Sequence, residues 1–161
     1  MHLAHTLPIF VNEDSEILIL GSFPSRKSRE VMFYYGHKQN RFFPVLARLF
    51  NEVAPITVEE RKLFLKRHKI ALYDVIEECD IEGSSDSSIK NVIPTDIASI
   101  LSKFPNIKII GISGNTAKYY FNRYLITKVG NIKVVYLPST SPANAKMSLD
   151  SLVEKYQELF K

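Results

Sequence analysis

The chain of 161 residues has one cysteine, no tryptophan and only six glycines. A lone thiol, Cys79, excludes an internal disulfide framework and any zinc site built from several cysteines. No apolar run approaches the ~20 residues a membrane-crossing helix needs. The opening MHLAHTLPIFVNEDSE lacks a basic segment followed by an apolar stretch, so it does not read as a secretory leader. Neither GxGxxG nor GxxxxGK[ST] follows the first apolar run, and Gly111 and Gly114 are wrongly spaced for either phosphate-cradling loop. No acidic cluster follows that run either, which argues against a metal-dependent hydrolase of free nucleosides. These absences lead us to expect a soluble, intracellular protein of cytoplasmic type, with residues 1–161 forming one domain and no metal or organic cofactor.

What is present is globular: 45% hydrophobic and 24% charged residues, with a net charge of +4. The charge is unevenly spread. Ile97 to Leu149 contains no Asp or Glu but holds Lys103, Lys108, Lys118, Arg123, Lys128, Lys133 and Lys146. Arg26 to Arg41 carries Arg26, Lys27, Arg29, Lys38 and Arg41 against Glu30 alone. Such asymmetry fits an anionic partner on one face, and equally fits a solvated surface with chance clustering.

Four β-branched runs, Glu16 to Leu20, Ile70 to Val75, Ile107 to Ile112 and Ile132 to Leu137, have the continuous apolar character of parallel strands buried on both faces. Helical patterns alternate with them. They comprise Arg41 to Phe50, a segment opened by the Thr57/Glu60 capping box, a segment capped by Thr95, Asn115 to Leu125, and Ser148 to Phe160. The alternation predicts an α/β fold, a three-layer α/β/α sandwich around a central four-stranded parallel sheet. Ligands of such folds gather beyond the carboxyl ends of the strands. The unusual sequence lies there: Gly21 to Asn40, Asp74 to Lys90 (with the polar loop Gly83 to Ser88), Ser113 to Asn115, and Pro138 to Lys146.

Read singly, these loop residues have two meanings each. Gly21 and Pro24 make a sharp turn whose amides can face a phosphate or a water. Phe33, Tyr34 and Tyr35 either anchor a long loop or offer a stacking face. Asn40 precedes a helical pattern and is a good N-cap. The stiff LPSTSPANAKMS turn can press on a nucleic-acid backbone or merely join a strand to a helix.

Taken together, GSFPS, YYGHKQNRFF, ALYDVIEECD with GSSDSSIKNVIPTD, and LPSTSPANA resemble the hypoxanthine (deoxyinosine) branch of the uracil-DNA glycosylase superfamily, in order over nearly the whole chain. The resemblance implies a monofunctional enzyme that hydrolyses the N-glycosidic bond of a deaminated base flipped from DNA and leaves an abasic site. Hypoxanthine is the first candidate, with uracil and xanthine behind it. It also implies that the usual polar catalytic residue of the first motif, where Ser22 to Ser25 stand here, is replaced by Asn40, which would orient water through its carboxamide oxygen. Tyr35 matches the base-stacking aromatic, and Phe23, Asp74 and Asn115 fall in the base pocket. Pro24, Ser25, Ser139, Ser141, Pro142, Ala143, Asn144 and Lys146 fall on the DNA-facing loops. DNA bearing a deaminated base is the expected partner, the chain is expected to be a monomer, and no membrane is involved. Lys38 and Phe43 depart from the Pro and Trp of the branch, and Ala143 replaces a Leu wedge, leaving Met147 as an alternative wedge. The competing reading is a nucleotide- or nucleic-acid-binding α/β domain without catalysis.

Overall fold

The computed structural model describes residues 1–82 and 85–161, so Gly83 and Ser84 of the expected polar loop lie outside the described residues. The larger sheet has strand order β3-β2-β6-β7, formed by Ile70–Asp74, Ile17–Gly21, Ile109–Ser113 and Lys133–Leu137. Every neighbouring pair is parallel, with Ile17 opposite both Ile70 and Ile109.

Alternation along β2 explains why its sequence is apolar throughout. Ile17 and Ile19 join one buried cluster, with Phe42, Phe43 and Leu46 of α2 (Phe42–Leu49), Phe64 of α3 (Val58–Arg67), and Leu152 and Tyr156 of α6 (Leu149–Tyr156). Leu18 and Leu20 point the other way, onto Ile97 of α4 (Ile97–Lys103) and Ala117 and Phe121 of α5 (Asn115–Tyr124). Period-two side chains buried on both faces are the signature of a sheet between two helical layers. The three-layer α/β architecture therefore stands as expected. Burying each such Leu or Ile contributes roughly 1.5–3 kcal/mol. Among the described residues, no helix is long and apolar enough to cross a membrane.

Three features differ from the sequence expectation. Asp74 to Lys90 is not simply a loop. It contains β4 (Ile76–Asp80) and part of β5 (Lys90–Pro94), which form a small antiparallel sheet with β1 (His2–Ala4) in the order β1-β4-β5. Register shifts between Ile76 and Glu78 and between Glu78 and Asp80 break the alternation that would have marked a strand. The sheet covers Ile76, Cys79 and Ile81, and burial pushes the Cys79 thiol above its ordinary pKa. Second, Arg26–Val31 forms a short helix, α1, inside the expected first loop, with Ser25 accepting from the Ser28 amide at its N-cap. Third, Thr95 does not cap α4. The Asp96 carboxylate accepts from the Ser99 amide instead, and the buried Thr95 hydroxyl donates to the Asp74 carbonyl at 2.7 Å.

The chain leaves β2 toward β3 through α1, α2 and α3, and leaves β6 toward β7 through α5. These departures go to opposite faces, so the sheet has a switch point between the carboxyl ends of adjacent β2 and β6. A crevice opens there.

Candidate active site

A cavity of about 750 Å³ occupies this crevice, within the ~300–1,000 Å³ typical of small-molecule sites. Its walls come from the ends of β2 and β3, from α1 and the segment after it, from the start of α5 and from the loop after β7. Phe23, Tyr35, Asn40, Asp74 and Asn115 all line it. The expected base-pocket residues and the expected catalytic residue thus meet in one place, although 92 positions of chain separate Phe23 from Asn115.

Asn40 is held by two loops at once. Its Oδ1 accepts from the Phe42 amide and from the Thr140 hydroxyl, each at 2.9 Å. The first bond is the capping role allowed by sequence, although Arg41 rather than Asn40 occupies the N-cap position of α2. The oxygen expected to orient water is thus engaged by two protein donors. Among the described residues, Nδ2 makes no hydrogen bond, and Asn40 lines the cavity. The Phe42 amide can only donate, so it fixes the orientation of the carboxamide, and the Thr140 hydroxyl then donates to the same oxygen.

Tyr35 stacks on Phe42 with ring centroids 3.8 Å apart and lines the cavity. Its backbone is left-handed (φ 56°), an uncommon conformation for an aromatic residue that redirects the chain between α1 and α2. Burial pushes the phenol well above its ordinary pKa, so it is neutral. Asp74 ends β3 nearly buried. Gly21 lies opposite it in register, and a Cβ on that glycine would stand 2.8 Å from Asp74 Oδ1. Glycine there permits the carboxylate to approach the turn. Gly114 has φ 93° and turns the chain into α5, presenting Asn115 at the start of that helix.

The DNA-facing expectations divide. Pro24, Ser25, Ser139, Ser141, Pro142 and Ala143 border the cavity, while Asn144 and Lys146 do not. Asn144 turns inward, donating from Nδ2 to the Ser139 carbonyl at 2.9 Å. Lys146 is exposed. Arg41 also turns inward. Its guanidinium donates to the carbonyls of Asn144 (2.8 Å) and Met147 (2.6 Å), tying the last loop to α2. Met147, the alternative wedge, is partly buried and packs against the core.

Thr140, Asp86 and Lys27 are among the lining residues that the sequence reading did not assign to the site. Thr140 is buried and carries no mark beyond a hydroxyl in a Ser/Pro loop. Asp86 lines the cavity, accepts from the Ser22 hydroxyl at 3.3 Å, and has its pKa raised by burial. Lys27 also lines the cavity, with Nζ 3.6 Å from Glu30. Behind the wall lies His5, which no motif flagged. Among the described residues, no group of three or more His, Cys, Asp or Glu is placed to hold a metal ion.

A sheet with this switch point, with an amide, an aromatic and a carboxylate lining one crevice, is the α/β architecture in which ligands bind at the carboxyl ends of the strands. The family profile described as "Uracil DNA glycosylase superfamily" matches residues 8–161, and the chain belongs to that superfamily of DNA glycosylases. Among characterised relatives, the hypoxanthine DNA glycosylase of Methanosarcina barkeri (strain Fusaro / DSM 804) is 33% identical over 155 residues, covering 96% of both chains. That of Methanosarcina acetivorans is 34% identical over 142 residues, 88% of each. A solution NMR structure of a Methanosarcina acetivorans protein, proposed to be a uracil DNA glycosylase, superposes with a TM-score of 0.81. Its identity is 29% and it covers the whole of both chains.

Proposed function

We propose that the protein removes hypoxanthine from DNA by hydrolysing its N-glycosidic bond, leaving an intact abasic site. The observation that carries this reading is the convergence of Asn40, Tyr35 and Asp74 on one cavity. The names of the two Methanosarcina relatives support the choice of base.

A base inside a duplex must be extruded at a cost of a few kcal/mol, lowest for mismatched pairs such as hypoxanthine opposite thymine. The ring of Tyr35 and the apolar Phe23 would take the flipped base, and Asp74 and Asn115 would meet its polar edge. Bond cleavage leaves an oxocarbenium-like sugar, which needs little nucleophilic push. Asn40 would hold the water by donating Nδ2–H to its oxygen, a positioning role. Asp86, its carboxyl already raised by burial, is suited to take the water's proton. Pro24, Ser25 and the Ser139 to Ala143 loop would follow the backbone with amides and hydroxyls. The small Ala143 side chain fills the vacated stack poorly, which fits a preference for pairs that are already weak.

The test is incubation with duplexes bearing one hypoxanthine, uracil, xanthine or ethenoadenine, followed by alkaline cleavage of abasic sites. Strand breaks at hypoxanthine above the other lesions are expected. No base release from any of them would refute the proposal. Borohydride should trap no protein–DNA adduct, since direct hydrolysis by water passes through no Schiff base with a lysine; a trapped adduct would contradict the monofunctional chemistry.

A further inference from the structure

His5 precedes β2 on a segment with no recognisable motif, yet its side chain is fully buried. A 2.7 Å bond from its amide to the Glu77 carbonyl pins the backbone there. Its ring lies among Tyr73, Phe23 and Tyr34, at centroid distances of 4.4, 5.8 and 6.2 Å. An apolar ring would pack there without penalty. The imidazole instead leaves Nδ1 buried and, among the described residues, without a partner, because the neighbouring hydroxyls turn elsewhere: Tyr34 to the Pro8 carbonyl and Tyr73 to Glu77. The other nitrogen makes one bond, Nε2 to Asp74 Oδ2 at 2.8 Å.

That bond fixes which nitrogen carries the proton. With the proton on Nδ1, an N–H would be orphaned in an aromatic cage and a lone pair would face a carboxylate. With it on Nε2, the carboxylate receives a donor and only one acceptor lone pair goes unmet. Asp74 is then fixed on one side, with Oδ2 claimed by His5 and its carbonyl by Thr95. Oδ1 has no hydrogen-bond partner among the described residues. It sits beside the bare Cα of Gly21, on the side of Tyr35, and Gly21, Tyr35 and Asp74 all line the cavity.

We infer that His5 is a positioning residue that aims Asp74 Oδ1 as a fixed acceptor for a ring N–H of the extruded base. This rests on the glycosylase reading above and adds to it a basis for selectivity. Deamination converts the bare N1 of adenine, a lone pair, into the N1–H of hypoxanthine. A carboxylate locked as acceptor bonds the second and repels the first. A site built around such a bond rejects analogues lacking the donor far more strongly than an apolar pocket rejects a change of size. Guanine also carries N1–H, so its rejection rests on its 2-amino group or its stable pair with cytosine.

The experiment compares single-turnover base release from duplexes carrying hypoxanthine or 1-methylhypoxanthine opposite thymine, for the parent, His5→Phe and His5→Gln. The parent should lose roughly a hundredfold or more on N1 methylation. His5→Phe keeps an aromatic ring but no donor, so hypoxanthine release should fall until the two substrates differ by less than about tenfold, a coupling between protein and base. His5→Gln, which returns an N–H near the position of Nε2, should restore most of the gap. A parallel fall on both substrates would make His5 merely structural and overturn the inference. So would a parent enzyme that ignores N1 methylation while releasing hypoxanthine well. No release of hypoxanthine by the parent would refute the glycosylase reading itself. Should His5→Phe fail to fold, ¹⁵N spectra of the histidine rings of the parent decide: a proton on His5 Nε2 is expected, and a ring protonated only at Nδ1 would overturn the inference.

Discussion

Single atoms decide the chemistry of Asn40. Its oxygen is committed to the Phe42 amide and the Thr140 hydroxyl, so Asn40→Asp keeps both structural bonds and replaces only the cavity-facing donor. That variant should melt close to the parent, while single-turnover release falls by roughly a hundredfold. Asn40→Ala should add a stability loss of about 1 kcal/mol as the capping bond disappears. An Asn40→Asp protein that cleaves at the parent rate would remove Nδ2 from the mechanism. Tyr35→Ala should act on the other step, weakening lesion binding by roughly 1–3 kcal/mol through lost stacking, with equilibrium binding to lesion-bearing and plain duplexes as the measurement.

Among the elements, the loop after β7 is the one most dependent on distant support. Arg41, at the start of α2, holds two of its carbonyls through one planar guanidinium, and the Arg41 amide donates to the Thr140 carbonyl at 3.1 Å. Arg41→Lys should not rescue Arg41→Ala, because an ammonium cannot reproduce a rigid fork directed at two acceptors. Both variants should lower the thermal midpoint and slow release together, as the loop that steadies Asn40 loosens. Equal midpoints for Arg41→Lys and the parent would contradict this. Residue patterns exposed some elements and hid others. The Thr57/Glu60 box is present as both reciprocal bonds, since a capping box is made within four residues. The strand β4 was hidden because its register shifts place Ile76 and Cys79 in the core without strict alternation. The helix α1 was hidden because it spans only Arg26–Val31, with Ser28 its only buried residue.

Over the whole molecule, charge is distributed differently from its distribution in sequence. Lys108 and Lys133 stand where β6 and β7 begin, at the opposite end of the sheet from the cavity. Arg123 lies in the last turn of α5, bonded to Tyr124, and the Lys118 ammonium sits over the Tyr136 ring at 4.9 Å. The acid-free stretch therefore does not form one DNA-facing surface. Lys146, on the loop that borders the cavity, remains the member to test. Lys146→Ala should reduce the slope of log affinity against log salt by roughly one, equally for all sequences. An unchanged slope would place that lysine off the DNA. The buried phenols make a second global prediction. Burial raises Tyr34, Tyr73 and Tyr156 well above the ordinary value of about 10. Their contribution is fully present below that value and is lost as pH rises beyond it, because the unfolded chain ionises first. The thermal midpoint should hold through neutral pH and fall above about pH 10, less steeply in Tyr34→Phe. A midpoint flat to pH 11 would contradict the assignment.

The sequence by itself determined the parallel sheet and the helices that cover it, because burial on both faces writes itself into unbroken apolar runs such as ILIL. It also carried the identities of Asn40, Tyr35 and Asp74, since they lie in strings specific enough to resemble a family. Tertiary structure alone brought the second donor to Asn40, because the Thr140 hydroxyl lies 100 positions along the chain and hydrogen-bond direction is not encoded in residue type. It alone joined His5 to Asp74 across 69 positions, a contact between an unremarkable segment and a strand end. It also divided the basic residues between two ends of the sheet. Periodicity reports which side of an element is buried. Which residues from distant elements meet at a strand end depends on the order in which the strands pack, and that order is set only when the whole core assembles.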